Sequence, residues 1–139
     1  MKAKWMYRIA SVLLILFAAG HTLGFRQILP SWGVDTLVAS MKTIRFDVQG
    51  FSRTYYDFYL GFGLFVSVLQ LFAALVCWQL GLLEAATLRS LSLLRWSMVI
   101  CFLGVSYLSW QYFFMVPIVF SLAITLFLVL GAWLANKPA

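Results

Sequence analysis

The sequence predicts an all-α fold: an integral membrane four-helix bundle with a short amphipathic helix in the first external loop. Three observations predict it. Mean hydropathy is +0.98. Charged residues make up only 10% of the chain, against about 25% in soluble domains, too few to cover a water-facing surface. The uncharged residues fall into runs that reach or exceed the roughly 20 positions needed to cross a hydrocarbon core. At 139 residues the chain is expected to form one domain.

The first span is placed at about 5–25. Lys2, Lys4 and Arg8 precede an uncharged run that ends in Ala18-Ala19-Gly20. That pattern also suits a secretory signal peptide, but the apolar run continues through His21 to Phe25, which favours a retained helix. Trp5 and Tyr7 are expected at the membrane interface, with Arg8 snorkelling to headgroups. Residues 26–54 form the external segment. Pro30 ends the first helix. Val34, Leu37, Val38 and Met41 then follow an amphipathic helical spacing, with Asp35 in the first turn and Lys42 near the last, as the helix dipole favours. This helix is too short and polar to span, and is expected in the interface or folded over the bundle.

The second span is placed at about 55–80, uncharged from Phe58 to Leu83, with Gly61 and Gly63 allowing close backbone approach and Gln70 needing a partner inside the bundle. From Trp96 to Asn136 there is no charge. One helix of that length would be about 60 Å long, twice the hydrocarbon thickness, so it must be two spans. They are placed at about 91–113, with Arg95 snorkelling, and about 117–135, with Pro117 marking the break. An even number of spans puts both termini on one side. That side collects Lys2, Lys4, Arg8, Arg89, Arg95 and Lys137, and the other Arg26, Lys42, Arg45 and Arg53. The positive-inside rule then favours cytoplasmic termini.

The net charge is +6. Without a basic patch alternating with aromatics, this balance points to topology and anionic lipid headgroups and argues against nucleic acid. Cys77 and Cys101 lie in apolar runs outside any CxxC and read as small buried packing residues.

Candidate chemistry gathers at one depth. His21, the single histidine, reads either as a neutral imidazole bonded to a loop carbonyl or to Asp57, or as a functional group; metal or haem ligation would require outside ligands. Arg53 and Asp57 are four apart and can pair on a helix face, locking the loop to the second span. If Asp57 instead shares a proton with His21, the two form an acid–base pair. Arg45 and Arg53 are candidate clamps for a polar headgroup. Tyr55 and Tyr59 share a face and, with Trp110 and Gln111 at the outer end of the third span, are candidate cavity-lining residues. No phosphate loop, HExxH or GxSxG is present, and no cofactor is specified.

The stretches Gly20-His21-Thr22-Leu23-Gly24 and Phe46-Asp47-Val48-Gln49-Gly50-Phe51-Ser52-Arg53-Thr54-Tyr55-Tyr56-Asp57-Phe58-Tyr59-Leu60-Gly61-Phe62-Gly63 resemble a group of small, largely uncharacterised bacterial four-span membrane proteins. In architecture the chain is also similar to DoxX-type proteins. The resemblance implies a bacterial inner-membrane location and carries no activity with it. The leading expectation is a protein that binds a hydrophobic ligand with a polar head (lipid, quinone or isoprenoid) in an outward-facing cavity, or serves as an accessory subunit. The alternative is a membrane enzyme acting on such a molecule through His21 and Asp57. Expected partners are membrane lipids, and a second copy of the chain or a larger membrane complex is the candidate protein partner.

Overall fold

The computed structural model describes residues 2–137. Four of its helices are long and apolar enough to cross a membrane: α1 (Lys2–Gly24), α3 (Tyr55–Leu80), α5 (Ser92–Tyr112) and α6 (Met115–Ala135). Between α1 and α3 run a 3-10 turn at Pro30–Trp32, α2 (Asp35–Thr43), β1 (Arg45–Val48) and β2 (Phe51–Thr54); α4 (Ala85–Ser90) lies between α3 and α5. The chain divides into two compact units. The larger contains the residues up to Phe17 and from Gln70 onward, and the smaller is Ala18–Leu69.

The larger unit has an apolar core built from α1, the end of α3, α4, α5 and α6, in which Tyr7, Leu14, Cys77, Leu88, Ile124 and Leu128 are buried. Glycine and hydroxyl side chains allow the close packing that apolar helices need in the absence of a hydrophobic drive between them. Gly131 seats the Tyr7 ring, 2.9 to 3.2 Å from where a Cβ would be. Ser11 donates to the Ala74 carbonyl at 2.8 Å. Thr125 and Ser106 sit 3.0 Å apart between α5 and α6, both close to the Phe102 carbonyl.

Several expectations are corrected here. Tyr7 is fully buried, not interfacial, because Gly131 opens a space for its ring. Arg95 does not snorkel. It is 0% exposed, and its guanidinium donates to Ala132 O at 2.6 Å, Arg89 O at 3.1 Å and Asn136 Oδ1 at 2.8 Å. Ala132 is in the last turn of α6, where carbonyls lack helical partners and the dipole favours a cation. The break between the last two spans falls at Phe113–Phe114, both extended, and not at Pro117. Pro117 sits in the first turn of α6, where its missing N–H removes no helical bond. Cys101 is exposed, while Cys77 is buried as expected. Gln70 is buried, with Oε1 lacking a hydrogen-bond partner.

In the smaller unit, α2 has Asp35 in its first turn and Lys42 in its last, as expected, but buries no residue. Residues 45–54, read from the sequence only as part of the external segment, form a complete antiparallel hairpin, pairing Arg45 with Thr54 through Val48 with Phe51. Its two-residue loop, Gln49 (φ 50°) and Gly50 (φ 83°), is left-handed at both positions, as a tight turn matching the strand twist requires.

Candidate ligand groove on the third helix

The start of α3 is fixed by Thr54 and Asp57. Thr54 N donates to Asp57 Oδ2 at 2.8 Å, and Asp57 N donates back to Thr54 Oγ1 at 3.1 Å. This is a capping box, with Asp in the place usually held by Glu or Gln, and it satisfies two otherwise orphaned donors. The Thr54 hydroxyl lies a further 3.0 Å from Oδ2. Asp57 is thus engaged by Thr54 and not by Arg53, as the four-residue spacing suggested. Arg53 donates to the Ser52 carbonyl at 2.9 Å and lies over the Phe51 ring.

The hairpin docks on this first turn through aromatic contacts. Phe46 of β1 packs on Tyr55 (centroids 4.9 Å apart) and on Phe58 (5.8 Å), and Lys42 Nζ is 4.7 Å from the Tyr56 centroid. Arg45 is tied within the hairpin, donating to Ser52 Oγ at 3.0 Å and Ser52 O at 3.3 Å.

One turn further on, α3 carries an open groove of about 270 Å³ lined by Arg53, Asp57, Phe58, Gly61, Phe62 and Phe65. Helical spacing accounts for it: 57, 61 and 65 form one row, with 58 and 62 beside them. Gly61 makes the hollow, since a Cβ there would meet nothing within 4 Å. The walls are phenylalanine rings. The polar groups, Arg53 and Asp57, stand together at one end.

His21 belongs to a separate cluster of the same unit. Its Nε2 lies 3.1 Å from the Gly63 carbonyl. A carbonyl only accepts, so Nε2 carries the proton and, in the neutral ring, Nδ1 holds the lone pair. The ring stacks on Phe25 at 5.1 Å. Phe25 fills the space that a Cβ at Gly63 would need, so Gly63 admits a side chain where a backbone was expected. Tyr59 closes the cluster, donating to the Phe25 carbonyl at 2.6 Å. Beside it Thr22 Oγ1 is 2.7 Å from both Ala18 O and Ser67 Oγ, and Ser67 Oγ is 3.3 Å from Gly63 O.

Of the expected site residues, then, only Arg53 and Asp57 line the groove. His21 and Asp57, the candidate acid–base pair, hydrogen-bond to other partners. Tyr55 and Tyr59 are used in packing and in the Phe25 lock. Trp110 and Gln111 are exposed on the last turn of α5, in the larger unit. The residues not foreseen are Thr54, Phe58, Phe62 and Phe65. The Thr-x-x-Asp spacing signalled the first, and a glycine flanked by phenylalanines at helical intervals signalled the others. Among the described residues no group of His, Cys, Asp and Glu could hold a metal ion.

Helices and groove together define a helical protein with four helices long and apolar enough to cross a membrane and a polar-lipped apolar hollow on one of them. Comparison with family models, curated proteins and solved structures gives no match.

Proposed function

We propose that the chain is a multi-pass membrane protein that holds part of an amphiphile in the α3 groove. The observation that supports this reading is the groove itself, apolar along Phe58, Phe62 and Phe65, with Arg53 and Asp57 at one end. At about 270 Å³ it is near the small limit of ligand pockets, about 300 Å³, and suits a chain segment or single ring. The head chemistry follows from the lip. Arg53 retains donors beyond the one given to Ser52, and Asp57 Oδ1 remains open for a donor. A head that accepts from a guanidinium and donates to a carboxylate, such as the hydroxyl of an isoprenoid alcohol or quinol, matches both. A bare phosphate would be repelled by Asp57.

The test is photolabelling of the detergent-purified chain with a diazirine-bearing isoprenoid alcohol. Labels should map to the 58–65 stretch, and Gly61→Leu, which fills the hollow, should remove most of them. Unchanged labelling of Gly61→Leu would sink the assignment.

The charge distribution supports an orientation with Lys2, Lys4 and Lys137 in the cytoplasm and residues 26–54 outside. In intact cells, an impermeant maleimide should then modify Ser31→Cys and leave Lys4→Cys unmodified. The reverse pattern would invert the topology.

A further inference from the structure

We propose that the cationic end of the larger unit binds the headgroup of an anionic phospholipid between Arg89 and Lys137. The two residues lie on different elements, Arg89 in α4 and Lys137 just beyond α6, and one direct bond ties the Arg89 side chain to the Lys137 main chain. Arg89 donates from one terminal nitrogen to the Lys137 carbonyl at 2.9 Å. Arg95, fully buried beneath them, fixes both supports, because a single nitrogen of its guanidinium reaches Arg89 O and Asn136 Oδ1. Among the described residues the hydrogen-bond partners of Arg89 and Arg95 are carbonyl and amide oxygens, and these bonds leave their charges unneutralised. Both Arg89 and Lys137 side chains are exposed.

The surroundings fit a lipid headgroup better than a soluble anion. Lys137 Nζ rests 3.6 Å from the centre of the Trp133 ring. At the same end of the unit the Arg8 guanidinium lies over Trp5 and Trp78, at 5.2 and 5.8 Å. The α1 start is placed there by Gly81, which packs against Arg8 and the Lys4 carbonyl. Trp5, Trp78 and Trp133 are all well exposed. Tryptophans interleaved with cations around helix ends mark the depth at which headgroups lie. A phosphate there would accept from the free guanidinium nitrogen of Arg89 and from Lys137, with its acyl chains along the apolar helix surface beneath Trp133.

The experiment is native mass spectrometry of the full chain, titrated with phosphatidylglycerol or phosphatidylcholine of identical acyl chains. The native chain should retain phosphatidylglycerol preferentially. Arg89→Gln with Lys137→Gln should weaken that retention roughly thirtyfold, the scale expected for two cations near an anionic surface. Lys137→Gln alone, an exposed change outside the helix, should weaken it about fivefold and gives the reading if the double variant melts. Equal retention of the two lipids, or a double variant that keeps the preference, overturns the proposal. Displacement of phosphatidylglycerol by millimolar inorganic phosphate would assign the site to a free anion and overturn the lipid assignment.

Discussion

Asp57 shows how one residue can change its meaning once its neighbours are fixed. In an apolar chain a carboxylate at a helix start invites a catalytic reading, yet one of its oxygens is used to cap α3 with Thr54. Thr54→Ala should therefore lower stability by about 1 kcal/mol, read as a fall in the thermal unfolding midpoint in detergent, while Thr54→Ser should hold it. The Thr-x-x-Asp spacing was legible in the sequence. The partner of His21 was not, because it is a main-chain oxygen that any residue type would supply, and only the approach of the first and third helices selects Gly63. Phe25 makes that approach specific. Gly63→Ala should displace its ring and lower stability by about 1–3 kcal/mol, together with the Tyr59 bond that depends on the Phe25 position. An alanine variant with native melting would show that the Phe25 ring moves freely.

At the scale of elements, the four long helices were legible to within a few residues because hydropathy and length decide them together. The hairpin was not. Its turn is Gln49-Gly50, without the Asn or Asp that usually announces a tight left-handed loop, and its strands are only four residues each. Nothing in so short a stretch separates extended loop from paired strand until the register is known. Gly50→Val should open the hairpin, since a β-branched side chain at φ 83° is strained by about 1–2 kcal/mol. Faster amide exchange across 45–54, with α3 protection retained beyond its first turn, is the expected result. Pro117 misled in the opposite direction. Proline signals a boundary but tolerates the first helical turn as well as the residue beyond an end, so the break was read a few residues late. Pro117→Ala should consequently leave the melting midpoint nearly unchanged.

For the molecule as a whole, the larger unit is held together by a buried cation as well as by apolar packing. The sequence shows an arginine near a span's end, for which snorkelling is the ordinary expectation. Its burial depends on the α6 terminus and the end of α4 arriving beside it, which only the fold reveals. Arg95→Ala strands the buried Ala132 carbonyl, at about 1–3 kcal/mol for a buried group left without a partner, unties the exposed Arg89 and Asn136 from α5, and should reduce recovery of folded protein by gel filtration. Arg95→Lys should restore only part, because one ammonium on a thinner stem cannot span the positions that the planar guanidinium joins. Full recovery with lysine would show that charge alone is required.

That buried arginine also bears on the order in which the chain is made. Arg95 emerges from the ribosome with α5, but its 2.6 Å acceptor, the Ala132 carbonyl, is synthesised later, near the end of α6. In the interval the guanidinium must keep water or headgroups as partners. The α5 window is also the least apolar of the four, with a hydropathy of 1.4 against 2.5 for α6. The third span should thus commit to the bilayer only once the fourth has followed it. Chains released after residue 112, still anchored by α1 and α3, should leave Cys101 of α5 open to a water-soluble maleimide, and chains released after residue 135 should protect it.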